Sequence, residues 1–108
     1  MRHHVHATIH RYEGVNASGA SEVIRRFNET LLPQLRELHG SVGHYLIEGG
    51  GVLSLLGFFD SSDQADQSTE VISQWIIDER VSALLPDAPR ITNGYVVAQS
   101  NTAVVGVT

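Results

Sequence analysis

The chain has 108 residues, 42% of them hydrophobic and 18% charged, which is the balance of an ordinary folded domain and excludes a disordered segment. The formal net charge is −5, and no basic cluster extends around Arg25 and Arg26, so nucleic acid is not an expected partner. There is no cysteine, which excludes disulfides and thiolate chemistry and favours a cytoplasmic location. No apolar run reaches the roughly 18 residues that a membrane helix needs, so no membrane partner is expected.

The first segment, HHVHATIHRY, alternates between apolar residues and His, Thr or Tyr, which predicts a strand over residues 3 to 12. Val5, Ala7 and Ile9 fall on one face. The other face carries His4, His6, Thr8, His10 and Tyr12. A loop rich in Gly, Asn and Ser follows.

An apolar stripe at spacings of three and four predicts the first helix over residues 21 to 40. Ser18 or Ser21 is expected to cap its start, and Gly40 to end it, because glycine adopts a left-handed conformation without strain. Pro33 should kink this helix, since it removes one backbone hydrogen bond and clashes with the carbonyl of Glu29.

The rest of the chain predicts three strands and a second helix. Strands are expected at residues 42 to 48 and 52 to 59, joined by a glycine turn, and the latter is apolar enough to be buried on both faces. Ser61 and Gln64 have the spacing of a helix cap, so a helix should run from about residue 62 to the high seventies. The last strand is predicted over residues 90 to 99.

The predicted order β-α-β-β-α-β is that of the α+β ferredoxin-like fold: a four-stranded antiparallel sheet with two helices on one face. Right-handed crossovers place the first and third strands in the centre. Residues 1–100 form this single domain, and residues 101–108 are expected to be a C-terminal tail or a short extra strand.

Two helices cover only one face of the sheet, and the other face should carry an apolar patch. Leu56 or Phe58, with Val96 or Val97, would lie on it. Such patches usually mark an interface, so we expect a homodimer with its two sheets face to face.

The chain resembles the small dimeric α+β barrel proteins, grouped with antibiotic-biosynthesis-monooxygenase-like domains, in four segments: IHRYEGV, VIRRFNETLLPQL, GSVGHYLIEGGGVLSLLGFFD and LLPDAPRITNGYVV. The resemblance implies a dimeric barrel and a small-molecule enzyme like the cofactor-free monooxygenases of aromatic or polyketide-like substrates, with no cofactor. The alternative is a non-catalytic ligand-binding or structural domain. Haem-degrading members use an Asn on the first strand and a His a few positions after a Trp on the second helix. Trp75 could match that Trp, but this chain has no Asn on its first strand and no His after Trp75.

The histidines are the main chemical candidates. His4 and His6 have a spacing that can chelate a metal, but a third ligand is missing, so no metal site is predicted. If Val5, Ala7 and Ile9 pack on the helices, the opposite face of the strand lines the barrel interior, where a histidine could act as a general base. The predicted catalytic residues are His10 and His44, and the predicted pocket residues are His6, Thr8, Tyr12, Ser54, Trp75, Asn93 and Tyr95. Alternatively these polar groups satisfy one another or bind water, and Trp75 is a core residue.

Overall fold

The computed structural model describes residues 4–100, and its four strands form one antiparallel sheet. The strands are β1 (His6–Tyr12), β2 (Ser41–Gly49), β3 (Val52–Phe59) and β4 (Arg90–Tyr95). They lie in the order β2-β3-β1-β4, which confirms the ferredoxin-like α+β fold and the central position of the first and third strands. The last strand is shorter than predicted, and the segment 101–108 lies outside the described residues.

The helices begin at polar caps. Helix α1 (Ala17–Arg26) is capped by Asn16, whose side-chain oxygen accepts a hydrogen bond from the Gly19 N–H at 2.7 Å, so the expectation of a serine cap is wrong. Helix α3 (Ser62–Asp78) is capped by Ser61, as predicted from its spacing to Gln64. A short 3₁₀ turn (Val81–Ala83) follows α3.

A π-helical turn (Phe27–Leu31) joins α1 to helix α2 (Leu32–Arg36) at the place where Pro33 was expected to produce a kink. Pro33 has no N–H to donate to the carbonyl one α-helical turn earlier. The wider turn accommodates this, because the Leu32 N–H donates to the Phe27 carbonyl. The helix therefore continues across the proline with a locally wider winding.

The helices cover one face of the sheet. On that face β1 presents Thr8, His10 and Tyr12, which are only 2%, 2% and 6% exposed. The cross-strand partners Leu53 and Leu55 on β3 lie beside them in the same core. The expected orientation of β1, with Val5, Ala7 and Ile9 against the helices, is therefore wrong. The first strand is turned so that its histidine-bearing face meets the helices.

The opposite face is open and apolar. Ile9, Tyr45 and Ile47 are 36%, 58% and 53% exposed. The register pairs Ile9 and Tyr45 with Leu56 and pairs Ile47 with Ser54, and the Tyr45 ring contacts Phe58. These β3 residues are half-buried, so β3 is not buried on both faces. The predicted apolar patch is present at Leu56 and Phe58, whereas Val96 and Val97 lie beyond the end of β4 rather than on it.

A substitution at Gly57 tests the packing on the covered face. A Cβ atom at this position would lie 2.8 Å from Cζ of Phe59 and 3.2 Å from Cδ2 of His44. Phe59 is fully buried and cannot move away freely. We expect Gly57→Ala to lower the free energy of unfolding by about 1–3 kcal/mol in urea denaturation. Gly49→Ala, where no atom lies within 4 Å, is the control and should cost little; equal losses in both variants would contradict this packing.

Candidate functional site

A small apolar cavity of about 20 Å³ lies between the covered face of the sheet and the helices. The residues that line it include Tyr12, Phe27, Leu46, Leu55, Ile72 and Trp75. They come from β1, β2, β3, α3 and the π-helical turn, so the cavity is at the centre of the fold. Burial raises the pKa of Tyr12 to about 12, and its hydroxyl therefore stays protonated.

His10 lies in the sheet row that borders this cavity. It pairs with Leu55, a lining residue, and is only 2% exposed. Its Nε2 atom has no hydrogen-bond partner among the described residues. Burial lowers the pKa of His10 below the ordinary value of 6.5, because desolvation disfavours the imidazolium. A neutral imidazole with a free nitrogen can accept a proton.

His44 lies on the same face of the sheet, on β2. It pairs with Gly57, two residues along β3 from the partner of His10. Its Nδ1 is 3.2 Å from the Ser41 hydroxyl, and its ring meets the edge of Phe59 with centroids 5.4 Å apart. The buried Nε2 of His44 has no partner within residues 4–100, and desolvation lowers the pKa of this side chain too.

Beside His44, a groove of about 280 Å³ opens between α2 and the β2 edge. Arg36 lines this groove together with Ser41 and His44. It is wider than the central cavity but open to solvent, and its walls are mostly polar.

A hydrogen bond to the π-helical turn holds the Trp75 side chain in place. Its indole N–H donates to the Thr30 hydroxyl at 2.7 Å, and that hydroxyl donates to the Arg26 carbonyl at 2.8 Å. The indole is 5% exposed, and its apolar surface contributes to the cavity wall. Trp75 is thus both a core residue and a cavity residue, which combines the two interpretations that the sequence left open.

The structure brings together five of the predicted site residues, and the others lie elsewhere. Thr8, His10, Tyr12, His44 and Trp75 lie between sheet and helices. His6, Asn93 and Tyr95 are on the same face but at the β4 margin, where Asn93 and Tyr95 are exposed. The Tyr95 ring contacts the rings of His4 and His6 there.

Ser54 is separated from this group by the sheet itself. The register pairs it with Arg11 and Ile47, which places it on the open face, away from the two buried histidines.

Sequence reasoning did not identify Ser68. This residue of α3 is fully buried, and its hydroxyl has no hydrogen-bond partner among the described residues. A possible signal was its spacing of four from Ile72 and seven from Trp75, which places a serine on the apolar stripe of the helix.

The described part of the chain contains neither a metal-binding cluster nor a membrane-spanning helix. Within residues 4–100, no three His, Asp or Glu side chains are grouped closely enough to hold a metal ion. No helix there has the length and apolar character needed to cross a membrane.

The fold is shared with solved structures. A monooxygenase from the ActVA-Orf6 gene of Streptomyces coelicolor, solved with nanaomycin D, superposes with a TM-score of 0.73 at 10% identity, covering 93% of each chain. A dimeric ferredoxin-like protein from an uncultured marine organism gives 0.70 at 13%, covering 94% of both chains. The chain has the fold of the family it resembles.

Not all proteins with this fold have an assigned activity. A protein of unknown function from Nitrosomonas europaea has a TM-score of 0.73 at 13% identity, with 94% of this chain and 98% of that chain covered. No protein-family model and no curated protein matches the sequence. At these identities the comparisons establish the architecture, and the chemistry must be argued from the site.

Because His10 and His44 are buried, we expect acid to destabilise the fold. The pKa values of His10 and His44 are lowered in the folded state, so between those values and the ordinary 6.5 the unfolded chain binds more protons. Their full contribution to stability is present above pH 6.5 and is lost as the pH falls through this window. We expect a lower free energy of unfolding in urea at about pH 5.5 than at about pH 7.5.

The matched controls isolate the two side chains. The His10→Gln/His44→Gln double variant should show a weaker pH dependence than the unmodified chain, whereas His39→Gln, which alters an exposed histidine, should keep it. An unchanged pH dependence in the double variant would show that these histidines are not neutral in the core.

Proposed function

We propose that the protein is a small-molecule enzyme that oxidises an aromatic or polyketide-like substrate with O₂ and without a cofactor, with His10 as general base. The observation that carries this proposal is the free Nε2 of His10, which is buried beside Leu55, a residue that lines an apolar cavity together with Trp75 and Tyr12. Small-molecule sites are mostly apolar with a few polar groups, but they enclose roughly 300–1,000 Å³, so this cavity would have to widen to serve as one. The fold shared with a monooxygenase adds support at the level of architecture.

The proposed reaction begins with proton transfer. His10 Nε2 takes a proton from an activated CH₂ group of the substrate, and the carbanion reacts with O₂. Overall, the CH₂ group and O₂ become a C=O group and water, and the proton on His10 is returned during formation of that water. Trp75 and Tyr12 would hold the ring system, and the surrounding apolar side chains would exclude bulk water.

A second candidate function, a non-catalytic ligand-binding or structural domain, is favoured by one specific observation. The central cavity is about 20 Å³, close to the space of a single water and far below that of an aromatic ring. The oxygenase proposal therefore requires core side chains to move apart when substrate binds, as binding of any organic ligand there would, whereas a structural role requires no movement. The cytoplasmic location expected from the sequence stays a prediction.

Turnover of a hydroxylated anthrone in air-saturated buffer separates the two candidates. We expect quinone formation, followed by absorbance, and a fall in kcat/KM of about 10²-fold or more in His10→Gln, because the general base is lost. His44→Gln should have a smaller effect, since its partner Gly57 is not one of the cavity residues. The exposed His39→Gln variant is the control and should turn over normally.

The assignment of His10 as general base fails if His10→Gln keeps normal turnover. An absence of quinone formation with the unmodified chain, under conditions where it is folded, would favour the non-catalytic alternative.

We further propose that the open face of the sheet is covered by a second copy of the chain. Ile9, Tyr45, Ile47, Leu56 and Phe58 form a contiguous apolar surface there. Removing such a surface from water is favourable by roughly 25 cal/mol for each Å² buried. A sheet that meets its own copy across a two-fold axis buries the same patch on both subunits. The dimeric ferredoxin-like protein of the same fold is consistent with this arrangement.

A charge placed on the open face should break the dimer. We expect Ile47→Asp to sediment as a monomer of 11.8 kDa, because two aspartates would be buried at the interface, while the unmodified chain sediments at about twice that mass. Ile77→Asp is the control, since Ile77 is an exposed isoleucine on α3, 67% accessible, away from the sheet. A monomeric unmodified chain, or a dimeric Ile47→Asp variant, would contradict the proposal.

A further inference from the structure

A β-bulge at the start of β2 brings a serine and a histidine together. Ser41 and Gly43 pair with consecutive residues of β3, so Val42 is an extra residue in this strand. In a regular strand, two residues three positions apart point to opposite faces. Because of the bulge, Ser41 and His44 pair with residues two positions apart in β3 and share one face. The Ser41 hydroxyl thereby comes within 3.2 Å of His44 Nδ1.

This bulge is one wall of the groove of about 280 Å³ beside α2, and Arg36 lies on the other wall. Backbone hydrogen bonds hold the turn that joins the two walls. The Ser41 N–H donates to the Leu38 carbonyl at 3.3 Å, and the Gly40 carbonyl accepts from the Asp60 N–H at 2.9 Å. The groove is thus formed without a ligand, and its volume is close to the lower end of the range for small-molecule sites, about 300 Å³.

Arg36 gives the groove a positive charge that no described side chain neutralises. Arg11, Arg25 and Arg26 each form an ion pair with a glutamate, whereas Arg36 has no such partner within residues 4–100. No Asp or Glu of that part of the chain lines the groove. Glu37 is the next residue, but adjacent residues of a helical turn do not face each other. The groove therefore favours an anion.

His44 determines which hydrogen bond the Ser41 hydroxyl can form. Burial lowers the pKa of His44, so the ring is neutral at neutral pH and carries one proton. When that proton is on Nδ1, the ring donates to Ser41 Oγ, and the Ser41 O–H can donate to a ligand. The groove then presents a hydroxyl donor and the guanidinium donors of Arg36, which suits a ligand that only accepts hydrogen bonds.

We propose that this groove binds a small aliphatic carboxylate. The planar guanidinium of Arg36 matches both oxygens of a carboxylate, and the Ser41 hydroxyl donates to one of them. Leu32 and the exposed Val42, which also line the groove, provide an apolar contact for the aliphatic part. His44 is a positioning residue that orients Ser41. The groove and the central cavity have no lining residue in common, so this inference does not depend on the proposed oxygenase activity.

A comparison of butyrate with butyramide tests the proposal, because the two molecules have nearly the same shape and differ in charge. Binding is followed by NMR titration of the backbone amide signals of residues 41 to 44 at constant ionic strength. We expect the unmodified chain to bind butyrate more tightly than butyramide. Arg36→Gln should weaken butyrate binding about tenfold or more, and Ser41→Ala about threefold, since a charged and a neutral hydrogen bond are lost, respectively.

Arg90→Gln is the matched control. It removes the same charge from an exposed arginine on β4, at the opposite edge of the sheet, and should leave butyrate binding unchanged. Arg36 also lies in the last turn of α2, where a cation is favoured by the helix end even without a ligand. A purely structural role would lower the unfolding temperature of Arg36→Gln and leave the preference for butyrate intact. The proposal predicts that the preference is lost.

The outcomes that overturn the proposal are equally specific. Equal binding of butyrate and butyramide, binding of neither, or full butyrate affinity in Arg36→Gln would each overturn it. An equal loss in Arg36→Gln and Arg90→Gln would also do so, because it would show attraction by overall charge and not a site. Inorganic phosphate that binds as tightly as butyrate, with the same dependence on Arg36, would overturn the assignment to a carboxylate.

Discussion

The packing of helices on one face of a four-stranded sheet is the constraint on which the rest of this structure depends. Because side chains alternate along a strand, the covered face receives every second residue of β1 and β3 and the open face receives the others. The first set includes Thr8, His10 and Tyr12, together with Leu53 and Leu55. The second set leaves an apolar surface in contact with solvent. Both the candidate site and the proposed dimer interface follow from this division.

The covered face is unusual in the polar groups that it encloses. Most of the contacts that seal it are apolar, yet His10 and Ser68 are buried in it with unpartnered atoms. By contrast, the Trp75 indole N–H is satisfied by Thr30, across the contact between α3 and the π-helical turn. The covered face thus contains both a partnered polar group, the Trp75 indole, and unpartnered ones. The unpartnered imidazole nitrogen of His10 is what makes this part of the core a candidate site.

Much of the architecture could be predicted from the sequence, because its signals are local. The capping serine Ser61 precedes α3, and Gly50 and Gly51 adopt the positive φ angles of 59° and 78° that the tight turn requires. Asn16 was missed because several polar residues in the preceding loop could serve as caps. Pro33 was correctly expected to disturb the helix, but a π-helical turn depends on which hydrogen bonds the neighbouring residues can form, and the residue pattern does not specify this.

The face that β1 turns to the helices could not be predicted from polarity, since both faces of the sheet are apolar around it. Val5, Ala7 and Ile9 would suit either environment, and His10 lies on the covered face because it shares that face with Thr8 and Tyr12. The position of Ser54 depends on the strand register, which a single sequence does not specify. Ser68 was missed for a related reason: a serine on an apolar helical stripe gains significance only when its hydroxyl is seen to have no partner.

A crystal structure of the protein with p-cresol tests the central claim most directly, that the space between sheet and helices is the binding site. The account predicts a widened cavity, with the ring of the ligand against Trp75 and its polar end toward His10. A ligand found instead in the groove beside Arg36 or on the open face, with the central cavity still at about 20 Å³, would contradict it.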